Sequence, residues 1–270
     1  MNVNEKYFRP SKSPALNIRR FVQTSSPLQL QELIKSPYET VIHFFSVIRE
    51  AENLLPGKIG GCGTVGMAKE PFPIAYQFLS KDFQTKLSYS DFLKLFEGIG
   101  HINLLKLIPI ADNQLFYEIE TIEGSDKQIT YFGYYYGFIK TVKDLDGFKI
   151  EEITRTGEDF LCAAYHGWAH DAEANVNIRY GEWCHMIKQS YPMVEKDFMK
   201  YFRFLGNDGE YYMIVFVELT NGTDVEIGQF VWKAGKWAKI LLNPEDCISR
   251  YQIINRFSET MAMKYLIQEL

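Results

Sequence analysis

The run YFGYYYGFIKTVK, residues 131–143, decides the fold class. Its aromatic and β-branched side chains favour a pleated strand over a helix. Strand alternation sends Phe132, Tyr134, Tyr136 and Phe138 to one face and Tyr131, Gly133, Tyr135 and Gly137 to the other. One face is therefore an aromatic wall, while the glycines permit a bend or a close approach of neighbouring chain on the other.

Working outward, HINLLKLIPI (101–110), NQLFYEIETIEG (113–124) and GFKIEEITRTG (147–157) share this character. Turn signals at Ala111-Asp112-Asn113, Gly124-Ser125-Asp126 and 144–147 separate them, which predicts a four-stranded antiparallel meander. Upstream the period changes to that of a helix. Val41, Phe44, Phe45, Ile48 and Leu55 predict an amphipathic helix over 38–54, and PFPIAYQFLSKDFQTK a second over 71–86. A third is capped by Ser88 with Asp91 three residues on, carries Phe92, Leu95, Phe96 and Ile99 as its stripe, and stops at Gly98 and Gly100.

Downstream, a helix over 171–189 precedes KDFMKYFRFLG, EYYMIVFVELT, DVEIGQFVWKA and KWAKILL, read as strands with hairpin signals at Asn221-Gly222 and Gly235-Lys236. From Pro244 the pattern returns to helix through Ile248, Tyr251, Ile254 and Phe257. The predicted class is thus α+β, with helices packed on curved antiparallel sheets. The division predicted is a basic arm (1–36), a helix–meander module (37–165) and a second such module with a C-terminal helix (166–270).

Composition sets the function classes. At 46% hydrophobic and 15% aromatic residues the chain has ample core. Residues 1–36 hold six basic and two acidic residues, a balance of +4, which leaves −9 of the net −5 on the rest. So acidic a body argues against nucleic-acid binding. No apolar window approaches a membrane span. The scattered Cys62, Cys162, Cys184 and Cys247 suit reduced thiols and a cytoplasmic setting.

The order of three helices and an aromatic meander over residues 37–162 resembles the NTF2-like superfamily (cystatin-like, SnoaL-like and ketosteroid-isomerase-like proteins). EYYMIVFVELTNGTDVEIGQFVWKAGKWAKILL, residues 210–242, is similar to the closing strands of another such module. The resemblance implies two NTF2-like modules in tandem, each a cone whose sheet wraps a pocket. Its members include isomerases, dehydratases, transport factors and dimerisation modules, so it assigns no single activity. The acid–base residues of its enzymes match no motif of this chain.

Several local patterns invite function. GCGTVG (61–66) has the glycine spacing of a dinucleotide loop, but a helix precedes it and Pro71 and Pro73 follow, so it reads as a glycine loop and no cofactor is expected. HGWAHDAE offers His166, His170 and Glu173, but a helix start near His170 separates the histidines, so no metal site is expected. His43 falls opposite the apolar stripe of its helix and is expected in solvent, and His101 is expected as a turn residue. The candidate ligand-binding set is Tyr117, Glu118 and Glu120 with Phe132, Tyr134, Tyr136 and Phe138. The leading expectation is a non-enzymatic binding or assembly module acting on a protein partner or a second copy of itself. The alternatives are an isomerase- or dehydratase-like enzyme, in which a buried carboxylate works with a tyrosine, or a carrier of a small apolar ligand.

Overall fold

A computed structural model describes residues 15–16, 18–24, 30–58, 66–124, 131–158 and 167–248. It is α+β, with two antiparallel sheets. The chain divides into two compact units, Arg9–Glu158 and Asp159–Leu270, the latter with Met1–Phe8.

In the first unit α1 (Arg19–Thr24) and a 3-10 turn (Gln31–Leu33) precede α2 (Pro37–Ile48). Ser36 caps α2, its hydroxyl accepting from the Glu39 N–H at 3.2 Å, and Pro37 occupies the first turn, where no partner is needed for its missing N–H. The helix ends at Ile48, short of the predicted residue 54. Beyond it the backbone finds other partners: Glu52 N donates to Ala68 O, Asn53 N to Ile99 O and Gly98 N to Asn53 O. These bonds draw the chain out into an extended path.

The helix expected over 71–86 is two helices, α3 (Phe72–Tyr76) and α4 (Lys81–Lys86). Between them Leu79 bridges Ile150, Ser80 N donates to Ile150 O, and Ile150 N donates to Phe78 O, each at 2.8 Å. Ser80 then caps α4. α5 (Tyr89–Lys94) follows, capped by Ser88.

The sheet is β1 (Ile99–Ala111), β2 (Gln114–Glu123), β3 (Tyr131–Asp144) and β4 (Gly147–Ile153) in that order, with β5 (Thr156–Gly157) beside β3. Phe44 and Phe45 of α2 pack with Phe78, Phe92, Leu104, Leu115, Tyr117, Ile119, Ile139 and Ile150 in one apolar core. Ala15, Val22, Leu30 and Ile34 belong to the same core, so part of the segment read as an arm is built into this unit. Ile34 O accepts from Phe148 N at 2.7 Å.

In the second unit a 3-10 turn (Trp168–His170) leads to α6 (Ala172–Val176), whose cap Asp171 accepts from Ala174 N at 2.8 Å. The helix then widens into a π-helix, Asn177–Trp183. An α-helix would carry the eighth residue from Ala172 roughly 80° around the axis. The wider turn brings Tyr180 back in line with Ala172 and Val176, and all three are fully buried. Helix was expected to 189, but 187–190 is β6 (Ile187–Ser190). β7 (Val194–Lys196), β8 (Met199–Gly206), β9 (Tyr211–Glu218), β10 (Asp224–Lys233) and β11 (Lys236–Lys239) complete a sheet ordered β11-β10-β9-β8-β6, with β7 also on β8.

Cys184 and Cys247 form a disulfide, a correction to the expectation of four reduced thiols. Spacing alone does not bring two cysteines 63 positions apart together; the sheet between them does. Among the described residues no helix is long and apolar enough to cross a membrane.

Candidate functional site

The antiparallel register sets Glu118 opposite Tyr136, Glu120 opposite Tyr134, Phe116 opposite Phe138 and Ile122 opposite Phe132. Six of the seven expected site residues therefore share the sheet face turned away from α2. Tyr117 does not. It lies in the core against Phe45, ring centroids 5.2 Å apart, and its hydroxyl donates to Thr154 O at 2.7 Å. Burial pushes its phenol far above the usual range.

The two carboxylates are buried and engaged. Glu118 pairs with Lys106, and Glu120 accepts from the Tyr134 hydroxyl at 2.7 Å and from Asn103 Nδ2 at 3.3 Å. His101 Nε2 lies 3.3 Å from Asn103 Oδ1, which makes His101 a member of a polar network and corrects its reading as a turn residue. Burial lowers its pKa, with Arg49 adding to the effect. Tyr136 stacks on Phe116 at 6.1 Å, Phe138 meets the same ring edge-on at 5.8 Å, and Phe132 is half exposed. His43, expected in solvent, is partly buried and hydrogen-bonded with Leu33 O at 2.9 Å.

GCGTVG lies outside the described residues except Gly66, as does His166. Among the described residues no group of three or more His, Cys, Asp or Glu is placed to hold a metal ion.

The second unit carries a groove that the sequence reading missed. Tyr191, Pro192, Arg203, Tyr211, Tyr212, Trp232 and Trp237 line about 590 Å³. Val231 pairs with Tyr212 and packs inward, so alternation turns Trp232 and Tyr211 to the opposite, outer face. Trp232 pairs directly with Trp237 across the hairpin, ring centroids 5.2 Å apart and edge to face at 69°. Tyr191 stacks on Tyr211 at 6.3 Å. Tyr211 is 48% exposed and Trp232 41%, so the groove is an open platform. At its margin the Tyr212 hydroxyl donates to Asp208 Oδ2 at 2.6 Å. Burial and that bond push the tyrosine up to about 12, while the same bond lowers the Asp208 pKa. The sequence signal was present in QFVWKAGKW: a hairpin with aromatics at the positions that alternate with buried Val231.

A partly buried polar network, centred on the buried Tyr180 and Gln229, lies in the same unit. The Tyr180 hydroxyl donates to Glu226 at 3.0 Å and accepts from Gln229 Nε2 at 2.9 Å. Arg179 pairs with Glu226 at 2.9 Å and also with Glu245, while Gln229 exchanges hydrogen bonds with the backbone of Leu242. With Cys184–Cys247 these ties hold residues 242–247 to the π-helix and β10.

Comparison with protein-family models, with curated proteins and with solved structures finds no match for the chain.

Proposed function

We propose that this chain is a non-enzymatic binding protein whose second unit takes an amphipathic ligand on the Tyr191–Tyr211–Trp232–Trp237 groove. The observation that carries the reading is the exposure of Tyr211 and Trp232 on the outer sheet face, beside further aromatic rings. Large rings left partly in solvent are characteristic of recognition surfaces. The two units are read as tandem NTF2-like modules, in keeping with helices ahead of an antiparallel sheet in each. The engagement of Glu118 with Lys106 and of Glu120 with Tyr134 weighs against the isomerase-like alternative, because neither carboxylate is left to take a substrate proton. The Cys184–Cys247 bond favours an oxidising compartment over the cytoplasm for this function.

Native mass spectrometry of the gently purified protein tests the proposal. A retained adduct that disappears in the Trp232→Ala/Trp237→Ala variant supports it; a dimer that occupies the groove, or adduct-free protein with intrinsic fluorescence unmoved by the host's small-molecule and polymer extracts, overturns it.

A further inference from the structure

Resting on that reading of the groove, we infer that its ligand is an acidic saccharide, with pyranose rings laid on the aromatic row and a carboxylate held by Arg203. Tyr211, Trp232 and Trp237 stand on three consecutive strands, β9, β10 and β11. The row therefore runs across the sheet for about two strand spacings, roughly 10 Å.

Shape narrows the ligand first. An apolar molecule binds well where most of its surface leaves water, in an enclosed pocket. Tyr211 and Trp232 keep nearly half their surface in solvent, so the platform covers one side of a ligand only. A pyranose suits that geometry, since its C–H face stacks on an aromatic ring while its hydroxyls stay hydrated.

Charge narrows it further. Arg203 lines the groove, and the register Arg203–Met213–Phe230–Lys239 runs across β8, β9, β10 and β11 on the same outer face. Cations thus stand at both ends of the row beside the aromatic one, in a chain whose net charge is −5. A guanidinium offers a planar fork that a carboxylate fills with two hydrogen bonds. A polyproline peptide would occupy the rings but leave that fork without an anion. A single-stranded nucleic acid carries a phosphate at every nucleotide and needs a track of cations, whereas among the described residues Arg203 lines the groove and Lys239 stands at the far end of the adjoining row, with Met213 and Phe230 between them. The disulfide in the same unit suits the compartments where acidic polysaccharides occur.

The test is titration of the full chain, followed by tryptophan fluorescence and calorimetry, with tetragalacturonate and a hyaluronan tetrasaccharide as acidic probes. Cellotetraose serves as the neutral probe, and a decaproline peptide and oligothymidylate as the competing classes. At least one acidic saccharide is expected to bind saturably. Trp232→Ala and Tyr211→Ala, each checked for folding by circular dichroism, should weaken it by about tenfold or more. Arg203→Gln should weaken the acidic probe by about tenfold while leaving cellotetraose unchanged. Equal binding of cellotetraose and the acidic probes overturns the carboxylate assignment. Binding of decaproline or oligothymidylate in place of the saccharides overturns the ligand class but leaves the groove as a binding site. Failure of all five probes overturns the saccharide inference, and the native mass measurement then decides separately whether the groove binds anything.

Discussion

Lys106 and Glu118 form an ion pair whose side chains are 4% and 0% exposed, and a one-residue bulge is what brings them together. Leu104 pairs with Ile119 on the core side; Leu105 is the extra residue, and Lys106 then falls opposite Glu118 on the other face. Removing one partner leaves the other charge buried, at a cost of about 3–5 kcal/mol. Lys106→Met and Glu118→Gln should each lower stability by that order in urea unfolding, while Lys106→Met/Glu118→Leu should recover most of it. Single variants within about 1 kcal/mol of the parent would show that the charges are not desolvated.

Gly137 is the point at which β3 meets the chain leaving β4. A Cβ there would lie 2.0 Å from Thr154 O, the acceptor of the Tyr117 hydroxyl, and 3.1 Å from the Tyr117 ring at Cε1. Gly137→Ala must shift backbone, so a loss of about 2 kcal/mol or more is expected. At Gly157 the nearest atoms to a Cβ are 3.7 Å away, an ordinary contact. Gly157→Ala should therefore leave the thermal midpoint close to that of the parent, and equal effects at the two sites would refute the steric account.

These two places mark what was legible in the sequence. The strands of the first sheet and β8 to β11 were, because period-two alternation between turn residues marks them, and glycine inside an aromatic strand allowed the close approach at Gly137; β6 and β7 were not, β6 having been read as helix. The partner of Glu118 was not. In unbroken alternation Lys106 shares a face with Leu104, and the bulge at Leu105 reverses it. Helix ends were misread where tertiary backbone bonds took over, as at Leu79 and Ser80 on β4. The candidate site was legible only as one face of β2 and β3: Tyr117 alternates away from Glu118, and the groove needed Tyr191, Tyr211 and Trp237 from separate strands and loops.

The Cys184–Cys247 bond closes a loop with a sequence separation of 63. On the chain-entropy account such a closure contributes about 4 kcal/mol against the unfolded state. Non-reducing peptide mapping should recover the linked 184 and 247 peptides. Adding a dithiol reductant should lower the unfolding midpoint of the parent but not of Cys184→Ser/Cys247→Ser. Two free thiols at these positions in protein isolated without reductant would remove the bond from the native state.

His101 supplies a pH dependence whose sign can be worked out. Burial, followed by the Arg49 charge, holds its imidazole below the ordinary value near 6.5, against smaller opposing contributions from Asn103, Glu50 and Glu120. The folded state therefore resists a proton that the unfolded chain accepts. Well above pH 6.5 neither state is protonated and the residue adds no slope. As the pH falls from there towards the lowered folded pKa, the unfolded state gains protons first and stability drops; below the folded pKa the loss is complete. Urea midpoints at pH 7.5 and pH 5 should separate further for the parent than for His101→Asn, which keeps a side chain able to bond Asn103 but has nothing to titrate. Carboxylates titrating in the same range affect both proteins alike, so the difference between them isolates His101. Parallel losses in parent and variant would mean that His101 takes up its proton as readily in the fold as outside it.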